Sequence, residues 1–544
     1  MKLSQIVEGI DGLALRMADG SASDAHNADI SGLSADSRNL RAGFIFAALP
    51  GTMVAKGAAK ARDGRDFIDQ AVAAGARAVL VPKGSTVPPH AGVIVIEADN
   101  PRRALAKMAA NLAERQPDTC VAVTGTNGKS SIVTFCRQLW QTLGINGASV
   151  GTIGITASLA DGRTIDKPGA LTTPDPVTLH TALAELVSDG VTHVAMEASS
   201  QGLDQYRADG AKVSAAAFTN LTRDHLDYHG TMDKYLAAKL RLFTQVLAED
   251  GVAILNRDMA EYPAIAKACK DRGQRIIDIS TDPAVPAAIT IKARRPLPEG
   301  QFLEIDIMGQ TVSLELPLVG DFQAMNALMA FALVIAQAPD DLALRAKAVA
   351  AMERLHSVRG RLELAATLQN GAAIYVDYAH TPDGLETMLH AIRPHCHGQL
   401  HVVFGCGGDR DGGKRPQMGA IAAQQADHVI VTDDNPRSED AATIRDAVMA
   451  GIASADMARV TNIGGRREAI AAALKTLGPG DILVVAGKGH EQGQIIGTTV
   501  VPFDDVTEVK TLIAQMNKEG GANHAPSTNT PVDPRGDRRG PRKN

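Results

Sequence analysis

The stretch Val121-Ala-Val-Thr-Gly-Thr-Asn-Gly-Lys-Ser-Ser131 decides the fold class of the middle of this chain. It predicts a buried strand, a glycine-rich turn and a helix that begins near Lys129. A Cβ at Gly125 or Gly128 would keep backbone N–H groups from closing around phosphate oxygens. We therefore expect ATP here, with Lys129 on its β- and γ-phosphates and Ser130 on Mg²⁺. The spacing is two residues shorter than the usual phosphate loop, so an ordinary strand–turn–helix is the alternative.

Length and composition narrow the class of protein. A chain of 544 residues is too long for one core and indicates about three domains. The net charge of −6 gives no electrostatic reason to expect binding to nucleic acid or to a membrane surface. No run of about 18 apolar residues indicates a membrane span, and Met1–Gly9 lacks the apolar core of a signal peptide. We expect a cytoplasmic protein.

The cysteines are odd in number and scattered, which fits a reducing compartment better than a disulfide framework. They are Cys120, Cys136, Cys269, Cys396 and Cys406. His395-Cys396-His397 alternates zinc-binding side chains, but no second ligand pair accompanies it. We therefore do not expect a structural zinc site.

The order of predicted elements indicates an α/β protein of three domains and a tail. Residues 1–116 predict a small α/β domain. Residues 117–358 predict a mostly parallel sheet around the phosphate loop, with helices on both faces, and residues 359–516 predict a second, Rossmann-like unit. Residues 517–544 are rich in Pro, Gly and charge, and we expect them to be disordered.

Short apolar runs locate the strands of these domains. We expect strands near 44–49, 93–96, 120–124, 193–197, 213–219, 252–256, 373–377, 400–404, 428–432 and 482–486, and an early helix near 66–74. In such sheets, ligands bind at the carboxyl ends of the strands. The loops that follow these runs are therefore the candidate functional segments.

Polar side chains follow two strands of the predicted central domain. Glu197 ends one strand, and Asp224-His225 and His229 follow the next. A carboxylate and a neutral imidazole beside a phosphate loop suit Mg²⁺, although Mg²⁺ prefers oxygen. Polar surface loops are the alternative for either segment alone. Lys239 lies on a predicted helix after them, and by itself it reads as a solvated surface residue.

Three loops of the predicted C-terminal domain combine opposite charges with glycine. They are Gly405–Arg415, Thr432–Arg437 and Ala486–Glu491. A zwitterionic amino acid needs this mixture, with cations for its carboxylate and anions or carbonyls for its ammonium group. A second phosphate loop at 405–408 is the alternative, but no Lys-Ser or Lys-Thr opens a helix there.

Together these segments resemble the Mur ligase family, the ATP-dependent enzymes that build the peptide stem of peptidoglycan. The resemblance spans about residues 1–515 and depends on motifs that follow strands, of which Asp-Asn-Pro-Arg437 is the most specific. It implies catalytic roles for Lys129, Glu197, His225 and Lys239. It implies that Ser130, Glu197, His225 and Lys239 hold Mg²⁺, the last as a carbamate.

The resemblance also implies which residues contact each substrate. For ATP they are Gly125, Thr126, Asn127, Gly128, Lys129, Ser130, Ser131, Asn326, Arg361, Asp377 and His380. For the UDP-linked substrate they are Ser37, Thr172, Thr173, Ser199, Gln205 and Arg207. For meso-diaminopimelate they are Arg410, Asp434, Asn435, Pro436, Arg437, Gly487 and Glu491.

Two positions depart from the family pattern. Thr52 stands where the family often has a histidine for the uridine, and the segment 53–61 after it resembles an insertion. Gln201 stands where family members usually have a histidine. The first departure concerns the detail of uracil recognition rather than the reaction.

The resemblance implies a monomeric ligase that adds meso-diaminopimelate to UDP-N-acetylmuramoyl-L-alanyl-D-glutamate through an acyl phosphate, in cytoplasmic peptidoglycan precursor synthesis. Its implied partners are ATP, Mg²⁺ and these small molecules. Arg437 is the natural bidentate partner of the carboxylate that distinguishes diaminopimelate from lysine. A folylpolyglutamate synthase, which would not need the first 116 residues, and a lysine-adding ligase, which would lack Arg437, are alternatives. A non-enzymatic, ATP-gated sensor of the nucleotide-sugar is the third.

Overall fold

The computed structural model describes residues 1–20, 25–51, 63–169, 171–297 and 299–522. It divides into two compact units. The first unit is Met1–Leu362 with Thr387–His397, and the second is Glu363–Glu386 with Gly398–Asn544. Thr52 and the segment 53–61 lie outside the described residues. The predicted domain boundaries at 116/117 and 358/359 stay predictions.

The first unit begins with a five-stranded sheet whose strand order is β1-β5-β4-β3-β2. Its strands are β1 Leu13–Met17, β2 Gly32–Ser34, β3 Phe44–Ala47, β4 Ala78–Pro82 and β5 Ile94–Ala98. Its helices are α1 Leu3–Ile6, α2 Ile68–Ala73 and α3 Pro101–Ala113, with 3₁₀ turns at Ala25–Asn27, Ser37–Asn39 and Gly64–Phe67. Only β1 pairs antiparallel, so the small α/β sheet expected in this region is confirmed.

An eleven-stranded sheet forms the rest of the first unit, in the order β16-β15-β14-β13-β12-β11-β6-β10-β7-β8-β9. Its strands are β6 Thr119–Thr124, β7 Gly147–Gly151, β8 Gly154–Ser158, β9 Thr164–Lys167, β10 His193–Glu197, β11 Val213–Phe218, β12 Val252–Asn256, β13 Arg275–Ser280, β14 Ile289–Leu297, β15 Gly300–Ile307 and β16 Gln310–Leu316. Neighbours from β14 to β7 run parallel, and both ends of the sheet run antiparallel. The expected mostly parallel sheet is confirmed, but its antiparallel ends were not expected.

Helices cover both faces of this sheet. They are α4 Lys129–Thr142, α5 Pro176–Ser188, α6 Ser200–Asp204, α7 Leu226–His229, α8 Met232–Arg241, α9 Tyr262–Asp271, α10 Asp321–Ile335 and α11 Leu342–Met352, with a π-helical turn Leu242–Val246 after α8. One face packs on α4 and α10, and the other packs on α5 and the segment 242–247. Alanine and valine dominate β6, β10 and β11, which are buried on both faces as central parallel strands are.

The second unit contains a six-stranded sheet of order β17-β18-β22-β19-β20-β21, in which only β17 runs antiparallel. Its strands are β17 Glu363–Thr367, β18 Ala373–Asp377, β19 Leu400–Phe404, β20 His428–Val431, β21 Val460–Asn462 and β22 Ile482–Ala486, and a separate hairpin is formed by β23 Gly493–Ile496 and β24 Thr499–Pro502. The helices are α12 Pro382–Ile392, which extends into the first unit, α13 Lys414–Gln425, α14 Ala441–Met449, α15 Arg466–Leu474 and α16 Asp505–Ala522, with 3₁₀ turns at Arg393–His395 and Met457–Arg459. The four parallel strands expected here are confirmed.

The last helix extends further than the sequence predicts. The helix α16 extends to Ala522, so the tail does not begin at 517 as predicted; residues 523–544 lie outside the described part.

His395 is buried, with Nδ1 2.7 Å from the Leu297 carbonyl and Nε2 accepting from the Gly320 N–H at 3.0 Å. Both ring nitrogens are thus engaged within the fold. No helix among the described residues is long and apolar enough to cross a membrane.

Candidate active site

The glycine-rich loop between β6 and α4 is held by the segment that follows β11. The Asn127 N–H donates to Asn220 Oδ1 at 2.9 Å, and Thr219 Oγ1 donates to the Asn127 carbonyl at 2.6 Å. Gly125 and Gly128 have φ of +137° and +87°, and a Cβ there would lie 1.9 Å from Thr219 Oγ1 or 2.5 Å from Asn326 Oδ1. Glycine is therefore required at both positions. No side chain of the described residues caps α4, whose first turn can receive a phosphate.

Two lysines converge on one carbonyl of this loop. Lys129 Nζ donates to the Gly125 oxygen at 2.9 Å and to the Thr126 oxygen at 2.7 Å. Lys239, on α8, is only 1% exposed and donates to the same Gly125 oxygen at 2.7 Å. The structure thus moves Lys239 from the surface to the centre of the site.

Burial changes the acid–base behaviour of both amines. It lowers the pKa of Lys239 to about 6, and the nearby Lys129 charge adds to this while Asp224 opposes it. Burial also lowers the pKa of Lys129, opposed by the carboxylates of Glu197 and Asp224 and assisted by the Arg361 guanidinium. At neutral pH, Lys239 is therefore largely a neutral amine.

Oxygen atoms collect beside the loop around Glu197, which ends β10 and is 2% exposed. Ser130 Oγ donates to Glu197 Oε1 at 2.9 Å, and the Thr152 N–H donates to the same oxygen at 2.8 Å. Thr152 Oγ1 lies 3.3 Å from Glu197 Oε2 and 2.9 Å from Thr172 Oγ1. These hydroxyl and carboxylate oxygens are the donors that Mg²⁺ prefers.

The residues after β11 place an imidazole and an acid near the amines. His225 is half exposed at φ +50°, and its Nε2 lies 3.4 Å from Asp224 Oδ2. Its ring faces that of Tyr235 at 6.4 Å, and the Tyr235 ring in turn contacts Lys239 Nζ at 4.5 Å from its centroid. His229 is buried, with Nε2 3.0 Å from Ser200 Oγ. The predicted His segment therefore lies next to Lys239 as a packed cluster.

The side chains expected to contact the UDP-linked substrate form a network, except for Ser37. Thr173 Oγ1 donates to the Glu197 carbonyl at 3.0 Å and lies 3.0 Å from Ser199 Oγ. Arg207 donates to the Thr173 carbonyl at 3.0 Å and to Gln205 Oε1 at 2.8 Å. Ser37 lies in the 3₁₀ turn after β2, and no hydrogen bond of the described residues ties it to this network.

A cavity of about 630 Å³ adjoins Gln205 and is lined by three further cations. They are Arg102, Lys234 and Arg241. Arg102 also donates to the Pro50 carbonyl at 2.6 Å, and burial lowers its pKa. Asp204 also lines the cavity and Arg241 is paired with Asp209, but the cations still outnumber the acids in this wall.

Asn326 lies at a second cleft of the first unit, of about 480 Å³. The cleft is lined by Asn220, Asn256, Lys292, Arg294, Phe322 and Asn326, among others. Asn326 Nδ2 donates to Gln323 Oε1 at 3.0 Å, and its oxygen faces Gly128. Two lining residues of the cleft adjoin the phosphate loop, Asn220 through the Asn127 N–H and Asn326 through Gly128. Arg361 is half-buried in the same unit, and its positive charge helps to lower the pKa of Lys129.

The remaining two expected ATP contacts belong to the second unit. Asp377 ends β18, is buried and accepts from the Ala379 N–H at 2.8 Å. His380 follows it and is exposed, with Nδ1 2.9 Å from the Tyr378 carbonyl. The carboxyl end of β18 thus presents both side chains, as the sequence predicts.

The loops after β20 and β22 of the second unit form a mixed-charge cluster. Asp434 is buried, and its Oδ1 accepts from the Asn435 N–H at 2.7 Å, while its Oδ2 has no hydrogen-bond partner among the described residues. Burial raises the pKa of Asp434, and the cations of Arg466 and Lys488 oppose this. Gly487 is at φ +113°, where a Cβ would lie 2.7 Å from Asp434 Oδ2.

Arg437 lies beside this cluster in a left-handed conformation, at φ +51°. Its Nη1 donates to the Gly408 carbonyl at 2.7 Å, and the side chain is half-buried. Gly408 cannot carry a Cβ, which would lie 1.9 Å from the Pro436 carbonyl. Arg410 is exposed on the loop after β19. The 405–408 segment therefore supports the Asp-Asn-Pro-Arg turn, and its alternative role as a phosphate loop finds no support here.

Three side chains of these sites were not assigned a role from the sequence. They are Thr152, Tyr235 and Lys488. Thr152 follows β7, so the strand-end pattern could have indicated it. Burial of Tyr235 and Lys488 has no signal in a single sequence.

Comparison with known proteins covers most of the chain. Family models match as the Mur ligase family catalytic domain at 29–112, the Mur ligase middle domain at 123–334 and the Mur ligase glutamate ligase domain at 360–489. Proteins named UDP-N-acetylmuramoyl-L-alanyl-D-glutamate–2,6-diaminopimelate ligase match from Zymomonas mobilis, 48% identical over 89% of this chain and 94% of that protein, and from Caulobacter vibrioides, 49% identical over 88% and 94%. A solved structure of a ligase with the same name is 32% identical, covers 95% of this chain and 99% of its own, and has a TM-score of 0.69.

Proposed function

The chain belongs to the Mur ligase family, and from this premise we propose that it adds meso-2,6-diaminopimelate to UDP-N-acetylmuramoyl-L-alanyl-D-glutamate at the expense of ATP. The observation that carries the proposal is the mixed-charge cluster of Asp434, Asn435 and Glu491 with Arg437 beside it, because it brings a guanidinium and two carboxylates together on the loops after β20 and β22. Such a set is suited to an amino acid that bears two carboxylates and two ammonium groups.

The reaction proceeds in two balanced steps. An oxygen of the D-glutamyl γ-carboxylate attacks the γ-phosphorus of ATP, which forms an acyl phosphate and releases ADP. The free amine of diaminopimelate then attacks the acyl carbon, which forms the amide and releases phosphate and a proton. Lys129 and the first turn of α4 position the phosphates and neutralise their charge, and phosphoryl transfer requires little more.

The oxygen atoms near the loop fit Mg²⁺. Ser130 Oγ and Glu197 Oε1 lie 2.9 Å apart and both can turn to one cation. Bound Mg²⁺ would neutralise the negative charge of the phosphates. His225 is proposed for the same site, and the half-exposed ring is open to it.

Lys239 is proposed to act as a carbamate. Its amine is buried and, with a pKa of about 6, is neutral at pH 7, which is the form that can add carbon dioxide. The addition forms an N–C bond and releases a proton, and it turns a neutral amine into an anionic oxygen ligand. The new negative charge suits a position beside Lys129 and a divalent cation.

The nucleotide-sugar is assigned to the Thr172–Thr173, Ser199, Gln205 and Arg207 network, with Ser37 at its uridine end. The adenosine of ATP is assigned to Asn326 and Arg361. We place the protein in the cytoplasm as a monomer that serves peptidoglycan synthesis, and hence cell shape and division. Light scattering coupled to gel filtration tests the monomer.

One assay separates this proposal from its alternatives. Purified protein is mixed with ATP, Mg²⁺ and UDP-N-acetylmuramoyl-L-alanyl-D-glutamate, and phosphate release is followed with diaminopimelate, with lysine, or with a folate and glutamate pair. We expect release with diaminopimelate, and a product heavier by one diaminopimelate residue. Release with lysine at equal efficiency would identify a lysine-adding enzyme. Binding of both nucleotides without any release would support the sensor.

A further inference from the structure

Lys488 is the most completely buried lysine near the acceptor cluster, at 0% exposure, and no step of the proposed reaction uses it. It follows β22 directly after Gly487. Its Nζ donates to Asn435 Oδ1 at 3.1 Å, to Glu491 Oε2 at 3.0 Å and to the Gly493 carbonyl at 2.6 Å. All three donor positions of the ammonium group are therefore used, one on the loop after β20 and two on the stretch that leads from β22 into β23.

These three acceptors lead to the side chains proposed to hold diaminopimelate. Asn435 Nδ2 also donates to Glu491 Oε2, at 2.8 Å, so Lys488, Asn435 and Glu491 form a closed triangle of hydrogen bonds. Glu491 is 33% exposed, and its carboxylate reaches the surface of the cluster. The triangle fixes the orientation of two side chains that a ligand would meet.

The third acceptor ties Lys488 to the β23–β24 hairpin, which in turn holds Arg437. The Ile495 N–H donates to Asn435 Oδ1 at 2.9 Å, and the Ile495 carbonyl accepts from the Arg437 N–H at 3.0 Å. The Gly497 N–H donates to the Arg437 carbonyl at 2.8 Å. Backbone contacts from the hairpin thus fix Arg437 at its positive φ, where a non-glycine residue needs such support.

We propose that Lys488 is a positioning residue for the acceptor amino acid, which holds Asn435, Glu491 and the β23–β24 hairpin that contacts Arg437 in one arrangement. This inference rests on the proposed function, because it presumes that the cluster binds diaminopimelate. Lys488 does not contact the acceptor; its three donors are spent on the protein. Its removal is expected to misorient two or three ligand contacts while leaving the first unit unchanged.

The test compares Lys488→Met with the wild-type enzyme in the phosphate-release assay. We expect KM for diaminopimelate to rise about 10- to 100-fold, as loss of orientation in one or two charged hydrogen bonds does. KM for ATP and for the nucleotide-sugar should stay within about twofold, because their proposed contacts do not depend on Lys488. Lys510→Met, an exposed lysine on α16, is the matched control and should change none of these values.

Coupling distinguishes positioning from a general loss of packing. Glu491→Gln removes the carboxylate that Lys488 holds, so the double variant with Lys488→Met should have a KM for diaminopimelate close to that of the worse single variant. Strict additivity of the two changes would overturn the proposal. So would an unchanged KM for diaminopimelate, or an equal rise in KM for all three substrates.

Folding of the variants is checked by thermal unfolding. Lys488→Met leaves Asn435 Oδ1 with the Ile495 donor and leaves Glu491 able to reach water, so a folded protein is expected. Lys488→Gln, which keeps a donor, is the second variant. If neither variant folds, Lys488 serves stability and the positioning role is rejected. A wild-type enzyme inactive with diaminopimelate would instead reject the proposed function itself.

Discussion

Two buried lysines, one in each unit, have opposite surroundings. Lys239 is 1% exposed and donates to a carbonyl oxygen that also accepts from Lys129. Lys488 is 0% exposed and donates to a carboxylate, an amide oxygen and a carbonyl. The first lysine has a cation as its neighbour, while the second is in an ion pair.

This difference shows that the partners of a buried amine decide its role. A buried charge is costly unless it is paired and fully hydrogen-bonded. Lys488 meets that requirement and holds its neighbours in place. Lys239 does not meet it, so burial lowers its pKa to about 6 and leaves a neutral nucleophile beside the phosphate loop. The same residue type thus supports chemistry in one unit and geometry in the other.

The largest effect on turnover is expected from substitution of Lys129, the cation that neighbours Lys239. Lys129→Ala removes the cation proposed to contact the phosphates, and turnover should fall by at least ~10³-fold. Loss of this charge should also raise the pKa of Lys239, because Lys129 is one of the causes of its depression. Initial rates of phosphate release measure the first effect. Lys270→Ala, an exposed lysine on α9, is the control, and a turnover in Lys129→Ala near its level would contradict the assignment.

A smaller loss is expected when Lys239 itself is removed. Lys239→Ala should lower turnover about 10²- to 10³-fold, because an oxygen ligand of the proposed Mg²⁺ site is lost. Short-chain carboxylic acids should restore part of the activity by supplying that oxygen in the vacated space. Formate and acetate are titrated into the assay, with Lys129→Ala as a variant that they should not rescue. Absence of any rescue would count against a carbamate.

In the second unit, removal of the Arg437 guanidinium tests the assignment of the acceptor. Arg437→Ala should raise KM for diaminopimelate about 10- to 100-fold, which corresponds to the roughly 1.5–3 kcal/mol of a charged hydrogen bond. KM for ATP should change little, and the preference for diaminopimelate over lysine should shrink. Steady-state kinetics with each substrate varied in turn give these values. A similar rise in both KM values would contradict the acceptor assignment.

The pH dependence of turnover tests the role of Lys239 without a substitution. Carbon dioxide adds only to the neutral amine, whose pKa is about 6, so turnover should fall at least about tenfold per unit as pH drops below 6. Added bicarbonate should move this acid limb to lower pH. Lys239→Ala rescued with acetate is the control, since it lacks the amine. An acid limb that is identical in the rescued variant would show that another group titrates.

Much of the fold was predictable because the central strands are short, buried apolar runs. β10, β12, β18, β19 and β22 begin and end at the residues expected from the sequence. The antiparallel ends of the large sheet were missed because their strands carry polar residues on exposed faces. In β9 every residue but Ile165 is exposed, and β15 alternates along its length. Such strands have little hydrophobic signal of their own, and their position in the sheet depends on distant neighbours.

The site was predictable to the extent that its residues follow strands. Glu197, Asp377 and the Asp434–Arg437 turn lie at the carboxyl ends of β10, β18 and β20, as parallel sheets require. Lys239 lies outside that rule because it is on α8, whereas Lys488 follows β22 but its burial was not predicted. A lysine on a helix or in a loop has no local signal of burial, and only the family resemblance pointed to Lys239. Of the partners of Lys488, Glu491 is three residues away, Gly493 begins the hairpin, and Asn435 is distant along the chain, so only the structure brings all three together.

The smallest expected change is a shift of a few degrees in melting temperature, caused by burial of the Lys239 amine. Between pH 6 and 10.5 the folded protein holds Lys239 neutral, whereas the unfolded chain binds a proton, so the unfolded state gains stability as pH falls in this window. Lys239→Met removes this penalty, on the order of 2–5 kcal/mol at pH 7, and keeps the Gly125 oxygen bonded to Lys129. The melting temperature should rise by a few degrees at pH 7, and the gain should narrow toward pH 10. Thermal unfolding in buffer free of carbon dioxide measures this, with Lys270→Met as control; a gain that is constant with pH would show that packing, not the proton, is responsible.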